Sequence, residues 1–422
     1  MQAKVKKLRN NLSLMTVNLP AFKSVTILVF VATGSRYEIK RTNGIAHFAE
    51  HMFFKGTKKR PTAADISATI DGIGGEFNAF TSKEYTGYYV KGSSQHLDLI
   101  MDVLSDMLLN SKFEQKEIDK ERGVIGEELR MYLDQPMRYV AEIYEELLYG
   151  DQPLGWDTVG TLESLTNINR DQFLGYLDDY YHPNNMLVVI AGDITEEKAE
   201  ALTDKYFGSL QDKETKKFLP AKFSQAQPAV RLFEKDTEQA HFCLGVRSLP
   251  LGNPDRYKIS VLNTVLGAGM SSRLFLEVRE RRGLAYYVRG SVDEYLDAGA
   301  VTFQAGVEPK KIEEAIKVVL AELNKIAEKG LSSVELNKAK EYMKGKLVLG
   351  LEDSRDVAMM FGLEQLLEKK TRTPENIASE IDKVREEDVQ EMAKNLFKNE
   401  GLNLAVIGPF KDQENFASIT KL

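Results

Sequence analysis

Length, composition and charge place the chain among ordinary globular proteins. It has 422 residues, 43% of them hydrophobic, which is enough to form the cores of two or more domains. Its formal net charge of −7 argues against a nucleic acid or an anionic membrane as partner, because phosphate binding requires concentrated Lys and Arg.

The compartment can be inferred from the single cysteine and from the apolar segments. Cys243 excludes an intrachain disulfide, which favours a reducing compartment, and within the strand-like stretch 241–246 it is interpreted as a core residue rather than a nucleophile. The basic first residues are not followed by the apolar segment of a secretory signal. The apolar run 25–32 is too short to span a bilayer, so we expect a cytoplasmic protein that is not bound to a membrane.

A β-rich segment at residues 25–33 is followed by the run 44–54, which contains the most informative motif of the chain. His47 and His51 lie four residues apart on a predicted helix, so both imidazoles can reach one cation. Glu50 falls on the same face, in the order His-x-x-Glu-His of the inverted zinc peptidases, where a carboxylate can act as general base on a zinc-bound water. The alternative is a pair of partly buried structural histidines. A catalytic zinc also needs a third protein ligand.

The rest of the first half alternates between helical and strand patterns. Period-2 alternation predicts a hairpin, and 3.6-residue periodicity predicts helices on both sides of it. The predicted elements are a helix at 61–73, a hairpin at 74–91, helices at 94–110 and 114–132, a strand at 185–193 and a helix that ends near residue 207.

Beyond a polar, aperiodic stretch at 211–229, the pattern of the first half recurs. The run 402–409 resembles 185–192, and 305–323 resembles 91–108. This spacing is too long for a solenoid and indicates duplication of a whole domain. We therefore predict an α+β fold with two homologous, sandwich-like domains, in which a mostly antiparallel sheet is covered by helices. The predicted domains are 1–210, which would bind zinc, and 230–422, which lacks the motif, joined by a linker at 211–229.

The duplication also suggests where the third ligand lies. Aligning 117–128 with 335–346 places Ala339 opposite Glu121 and Lys346 opposite Glu128. The copy with the histidines therefore has two carboxylates where the other copy has an apolar residue and a cation. Because the two are seven residues apart, they share one helical face, so one could bind zinc and the other orient a histidine. The alternative is an acidic surface helix.

With these residues, the chain from about residue 10 onward resembles the pitrilysin/insulinase family of zinc metallopeptidases. The likeness is greatest to its short bacterial members, which are similar to the β subunit of the mitochondrial processing peptidase. The resemblance implies one zinc per chain bound by His47, His51 and Glu128, with Glu50 as the base. It implies that Glu121 is not a zinc ligand itself but interacts with the ligands and supports them. Glu127 is a weaker candidate.

The resemblance also implies a substrate site in two parts. The stretch 74–81, with Asn78, Ala79 and Phe80, resembles the sheet edge on which the family binds its substrate as an added strand. From the residues alone, a hairpin strand of the core is the alternative. Arg279 and Tyr286 resemble the family's Arg and Tyr pair, which binds the substrate backbone and stabilises the oxyanion. Tyr287 could take the place of Tyr286.

The resemblance finally implies an assembly. Long members of the family place the zinc domain and the Arg and Tyr pair in opposite halves of one chain, and this chain has the length of one half. We therefore expect a homodimer whose composite active sites face a closed chamber, acting as a zinc endopeptidase on oligopeptides or unstructured segments. A non-catalytic peptide-binding or structural subunit and a heterodimer are the alternatives.

Overall fold

The computed structural model describes residues 1–422 and contains two β-sheets. The first sheet has the order β1-β2-β6-β3-β5-β4, with β2 and β6 parallel and all other neighbours antiparallel. Its strands are β1 (Ala3–Lys7), β2 (Ser13–Asn18), β3 (Ser24–Val31), β4 (Glu76–Thr81), β5 (Thr86–Ser93) and β6 (Met186–Gly192).

The second sheet repeats the topology of the first without the extra edge strand β1. Its order is β7-β11-β8-β10-β9, and its first two neighbours are again the parallel pair. Its strands are β7 (Ala229–Glu234), β8 (Ala240–Arg247), β9 (Ala285–Glu294), β10 (Gly299–Val307) and β11 (Asn403–Gly408). The same order of five strands in each half confirms the predicted duplication and the α+β fold class.

Fifteen α-helices accompany the sheets. Those of the first half are α1 (Ile45–Phe53), α2 (Ala63–Asp71), α3 (Leu97–Asn110), α4 (Gln115–Leu133), α5 (Pro136–Tyr149), α6 (Leu162–Thr166), α7 (Arg170–Tyr180) and α8 (Glu196–Phe207). Those of the second half are α9 (Arg256–Gly267), α10 (Ile312–Lys329), α11 (Ser333–Leu349), α12 (Ser354–Glu368), α13 (Pro374–Lys383), α14 (Glu386–Leu396) and α15 (Gln413–Ile419). None of them combines the length and the apolar composition that a membrane crossing requires.

The chain forms two compact units, and each unit contains a segment from the other half of the sequence. Unit 1 consists of 1–129, 156–219 and 347–375, and unit 2 consists of 130–155, 220–346 and 376–422. The predicted contiguous division into 1–210 and 230–422 therefore differs from the packing. The reason is that α5 packs on the second sheet and α12 packs on the first.

The two exchanged helices cover equivalent sheet faces. In unit 1, Val357 and Phe361 of α12 are buried with Leu28 and Phe30 of β3. In unit 2, α5 buries Val140, Ile143 and Tyr144 with Cys243 and Ala405. The opposite face of each sheet carries the helices that follow the hairpin in sequence, among them α3 on β5 and α10 on β10. Each sheet is thus buried on both faces, which explains the continuous apolar runs of its central strands.

Candidate metal centre and substrate site

The helix that carries the histidine motif begins at a residue that must be glycine. Gly44 has a φ of 94°, and a Cβ there would lie 2.3 Å from the carbonyl oxygen of Val159. Gly44 has no side chain that could accept a hydrogen bond from the first N–H groups of α1. Instead, the buried Glu38 accepts hydrogen bonds from Gly44 N at 2.7 Å and from Ala46 N at 2.8 Å.

Three of the predicted ligands converge. One ligand atom each from His47, His51 and Glu128 can be chosen so that all three lie within 4.8 Å of one another. Glu128 Oε2 lies 3.7 Å from His47 Nε2 and 3.6 Å from His51 Nε2. Donors bound to one tetrahedral zinc are separated by about 3.4 Å, given bonds of about 2.0–2.2 Å. The two imidazoles and the carboxylate therefore fit zinc in chemical type, number and spacing.

Glu121 lies behind His51. It is 4% exposed, and its Oε1 lies 2.9 Å from His51 Nδ1, the ring nitrogen that faces away from the ligand cluster. Its other oxygen lies 2.6 Å from Lys55 Nζ. Burial acts to raise the pKa of Glu121, but the hydrogen bonds from His51 and Lys55 outweigh it and hold the pKa below its ordinary value. Such a carboxylate fixes the orientation of a ligand histidine.

Glu50 lies beside the ligand cluster with one oxygen held. Its Oε2 accepts a hydrogen bond of 2.5 Å from Thr81 Oγ1, at the end of β4. Burial raises the pKa of Glu50 above its ordinary value and the charge of Glu128 adds to that rise, while Thr81 and His51 oppose it. The exposed Glu127, the weaker candidate, is not among the converging ligand atoms.

Asn78, Ala79 and Phe80 lie on an edge strand. β4 pairs only with β5 and ends the first sheet. β4 is thus one strand of a hairpin and also a sheet edge, while its role in binding substrate stays a prediction. Asn78 is exposed, Ala79 is buried and Phe80 is half-buried against Phe30. An edge strand offers unpaired backbone groups to an extended peptide.

Arg279 and Tyr286 lie in unit 2. Arg279 belongs to a π-helical turn, Phe275–Glu280, and its guanidinium carbon lies 5.7 Å from the centre of the Tyr286 ring. Tyr286 is 75% exposed and is the extra residue of a β-bulge, because Ala285 and Tyr287 pair with consecutive residues of β10. A bulge on an edge strand redirects one side chain outward.

Tyr287 has a different environment. Its hydroxyl lies 3.1 Å from His241 Nδ1, and its ring stacks on that imidazole. Burial raises its pKa well above the ordinary value. Of the two tyrosines, Tyr286 is therefore the one that presents its hydroxyl to solvent. The roles of both residues stay predictions.

The other copy has no equivalent cluster. The helix α11 corresponds to α4, and there Ala339 is buried where α4 has Glu121. Throughout the chain, the only group of three or more His, Cys, Asp or Glu side chains spaced for a metal is the one in unit 1.

Three residues around the centre were not found in the sequence analysis: Glu38, Lys55 and Thr81. Lys55 follows His51 by four residues but lies beyond the end of α1 at Phe53, so helical spacing did not indicate that both reach Glu121. Thr81 gave no signal, because its partner Glu50 is 31 residues away in sequence and comes close only through the tertiary fold. Glu38 precedes its partners Gly44 and Ala46 by six and eight residues in an irregular segment, where no periodicity relates them.

The duplicated α+β fold and the His, His and Glu donor set are of the type found in inverted-motif zinc peptidases. Comparisons with known proteins agree. A family model described as "Insulinase (Peptidase family M16)" matches residues 14–162, and one described as "Peptidase M16 inactive domain" matches 167–343. The chain belongs to this family, peptidase family M16, as the resemblance of its motifs indicated.

Full-length relatives support the assignment. The chain is 39% identical to an uncharacterized zinc protease, YmxG, of Bacillus subtilis, over 95% of this chain and 97% of that one. It is 36% identical to an uncharacterized zinc protease of Streptomyces coelicolor, over 96% of this chain and 90% of that one.

Solved structures show the same fold. A protease from Helicobacter pylori superposes with a TM-score of 0.91 at 25% identity, covering 97% of this chain and 99% of that one. A structure from Pseudomonas fluorescens described as a peptidase M16 inactive domain has a TM-score of 0.90 at 17% identity, covering 98% of this chain and 99% of that one.

Proposed function

We propose that this chain is a zinc-dependent endopeptidase that hydrolyses oligopeptides or unstructured polypeptide segments. The observation that carries the proposal is the cluster of His47, His51 and Glu128 ligand atoms, with the Glu50 carboxylate close enough to interact electrostatically with His51 and Glu128. Membership of a family whose relatives are named zinc proteases supports it. A cytoplasmic location is part of the proposal and is supported by the single cysteine, which is buried and free.

Each residue has a defined task in this proposal. His47, His51 and Glu128 would hold one zinc ion, which supplies a Lewis acid that polarises water and the scissile carbonyl. Glu50 takes up the proton of the attacking water and passes it to the leaving amine. Glu121 keeps His51 in the orientation that directs its Nε2 toward the cluster.

The substrate would bind as an extended strand on the free edge of β4. Backbone hydrogen bonds of that kind do not depend on sequence, so affinity would extend to many peptides, and side-chain pockets would supply the selectivity. A folded domain has few unpaired strands to offer. This supports unstructured segments as the substrate class.

Arg279 and Tyr286 would complete the site of a second copy in a homodimer. Both side chains face solvent, and the Arg279 side chain is 41% exposed. Its Nε lies 4.0 Å from a carboxylate oxygen of Glu280. The Arg would hold the substrate backbone and the Tyr hydroxyl would stabilise the oxyanion. A two-fold dimer of this kind would enclose two identical sites in one chamber.

Cleavage of a quenched peptide by the purified protein tests the activity. We expect turnover that a chelator abolishes and zinc restores. Glu50→Gln should keep one zinc per chain and lose about 100-fold or more in kcat, whereas Glu128→Gln should lose the metal itself. Glu127→Gln, the exposed neighbour, is the matched control for Glu128→Gln. Unchanged turnover in Glu50→Gln would refute the proposal. Zinc binding without turnover in the wild type would favour the non-catalytic alternative.

Mixing two inactive variants tests the shared site. Glu50→Gln and the double variant Arg279→Ala, Tyr286→Ala each lack one half of every site. After subunit exchange, half of the dimers should combine both variants and contain one intact site, which restores about a quarter of wild-type activity. No recovery despite demonstrated exchange would refute the composite site and leave the peptidase proposal standing.

A further inference from the structure

The hydroxyl of Thr81 is committed to the carboxylate of Glu50. Thr81 Oγ1 donates to Glu50 Oε2 at 2.5 Å, and Thr81 is the last residue of β4. A hydrogen bond to an ionised acceptor is stronger than a neutral one and fixes the direction of the carboxylate. The second oxygen, Oε1, then has a defined position for accepting a proton.

Thr81 itself is held on a rigid part of unit 1. The turn that follows it is closed by a hydrogen bond from Ser82 N to Tyr85 O at 2.9 Å. Ser35 N donates to Ser82 O at 3.1 Å, and Arg36 N donates to Lys83 O at 2.9 Å. The backbones approach so closely that a Cβ on Gly34 would lie 2.1 Å from Ser82 O.

A buried ion pair reinforces this connection. Arg36, 1% exposed, is paired with Glu84 of the same turn, and its guanidinium lies 4.0 Å from the centre of the Phe218 ring. Displacement of the turn would separate this buried pair and leave an uncompensated charge, which is strongly unfavourable. The turn after Thr81 therefore has little freedom to move.

The same backbone segment also fixes the helix that carries Glu50. Glu38 follows Arg36 by two residues and holds the N-terminus of α1 through Gly44 and Ala46. Segment 34–38 thus contacts both the turn after β4 and the start of α1. Since the turn after β4 and the start of α1 are both fixed, the Thr81 hydroxyl and the Glu50 carboxylate meet without either segment having to reorganise.

We propose that Thr81 is a positioning residue for the general base, and that it aligns Glu50 with a peptide bound along β4. The proposal rests on the proposed function, because it needs Glu50 to be the base. Thr81 joins the two parts of the site, since its backbone ends the strand on which the peptide would lie and its side chain holds the carboxylate. Its loss should impair the chemical step more than peptide binding.

The isosteric substitution Thr81→Val tests this directly. It keeps the β-branched shape and removes only the hydroxyl, so we expect kcat to fall about 10- to 100-fold with KM changed less than about twofold. Thr81→Ser restores a hydroxyl and should recover most of the loss. Zinc content should stay at the wild-type level in both variants, because Thr81 contacts no ligand.

Thr86→Val is the matched control. Thr86 is the direct cross-strand partner of Thr81, but its hydroxyl donates to Thr33 O at 2.8 Å instead of to Glu50. The Thr86→Val variant shows how the loss of one hydroxyl from this pair of strands affects stability. Its kcat should stay within about twofold of wild type. A similar loss of kcat in Thr86→Val and Thr81→Val would show a general structural effect and overturn the proposal.

A double variant supplies a second test. Once Glu50→Gln has removed the base, adding Thr81→Val should lower the residual rate no further, because the two residues act as one unit. Independent, multiplicative losses would overturn the proposal. If Thr81→Val does not fold, Thr81→Ala takes its place in both tests.

Crystal structures of the metal-free variants provide a readout that does not depend on activity. We expect the Glu50 carboxylate to rotate away from residue 81 in Thr81→Val and to keep its position in Thr81→Ser. An unmoved carboxylate in Thr81→Val, or a wild-type kcat, would refute the positioning role while Glu50→Gln still reported on the peptidase. A wild-type protein without zinc-dependent turnover would refute the proposed function, and the positioning role with it.

Discussion

Removal of the Glu38 carboxylate should destabilise unit 1 at the start of the metal-binding helix. Glu38 is 6% exposed and accepts hydrogen bonds from Gly44 N, Ala46 N and Asn43 Nδ2, at 2.7, 2.8 and 2.8 Å. In Glu38→Ala the two backbone donors lose their acceptor, whereas Asn43 Nδ2 still donates to Asp157 O at 2.9 Å. At about 1–3 kcal/mol for each of these two buried unsatisfied donors, the free energy of unfolding should fall by about 2–6 kcal/mol.

The chain has a suitable probe for this measurement. Trp156, the only tryptophan, lies in unit 1 next to Asp157, so its fluorescence during urea unfolding reports on this unit. Thr62→Ala is the control, because it removes the side-chain cap of α2, whose loss should cost only about 1 kcal/mol. A fall of less than about 0.5 kcal/mol in Glu38→Ala would show that Glu38 does not hold the helix N-terminus.

The same carboxyl group gives the effect a pH dependence. Burial raises the pKa of Glu38 to about 8, against the three donors and Lys83, which act to lower it. A carboxyl whose folded pKa lies above the unfolded value near 4.5 stabilises the fold fully below that value and loses the contribution as pH rises through 8. The stability advantage of the wild type over Glu38→Gln should therefore shrink between pH 5 and pH 9. An advantage that grows with pH would mean that the three donors outweigh burial.

Two further substitutions test the metal centre and the acid stability of unit 2. Glu121→Gln should weaken zinc binding about 10- to 100-fold in chelator competition, because it loosens His51, while the exposed Glu127→Gln should bind zinc like the wild type; equal affinities of the two variants would contradict the role of Glu121. Burial acts to raise the pKa of Glu335, but hydrogen bonds from Arg273 and Ser332 hold it at about 2. Its stabilisation, about 1 kcal/mol after solvent screening, is thus present above pH 4.5 and lost as pH falls through 2. Glu335→Gln should remove that acid-dependent loss, and Glu341→Gln, on the exposed face of α11, should leave it unchanged.

Local periodicity was enough to predict most elements of unit 1. The strand at 25–33, the hairpin at 74–91 and the helices at 94–110 and 114–132 all appear in the structure within a few residues of the predicted bounds. Their patterns have one period over many residues, which is the condition under which sequence predicts structure well. The assignment of α5 and α12 to the opposite sheets could not be predicted. An amphipathic helix shows that one face is apolar, but not which sheet it covers.

The residues of the candidate site also differ in whether the sequence could indicate them. His47, Glu50 and His51 belong to one short helix, and Glu121 and Glu128 were indicated by the contrast with Ala339 and Lys346 in the other copy. Thr81 gave no signal, because in a strand it is an ordinary β-branched residue. Its hydroxyl becomes functional only when α1 lies against β4.

The exchange of helices between the two units follows from the duplication. It leads to a prediction about cutting the chain. The helices α5 and α12 start at residues 136 and 354, the same offset of 218 residues that relates Glu128 to Lys346. Both copies therefore pass a helix to the other unit at an equivalent position. A chain cut between residues 219 and 220, inside the predicted linker, would separate each sheet from one of its covering helices.

We expect fragment 1–219 to be unstable when expressed alone. It lacks α12, whose large apolar side chains Val357, Phe361 and Leu366 are at most 5% exposed, and burial of each contributes about 1.5–3 kcal/mol. The loss of about 5–9 kcal/mol equals much of the stability of an ordinary domain. Fragment 220–422 returns α12, so co-expression of the two fragments should restore cooperative unfolding and zinc binding. A monomeric fragment 1–219 that unfolds cooperatively, with wild-type stability by Trp156 fluorescence, would show that α12 contributes little to the first sheet.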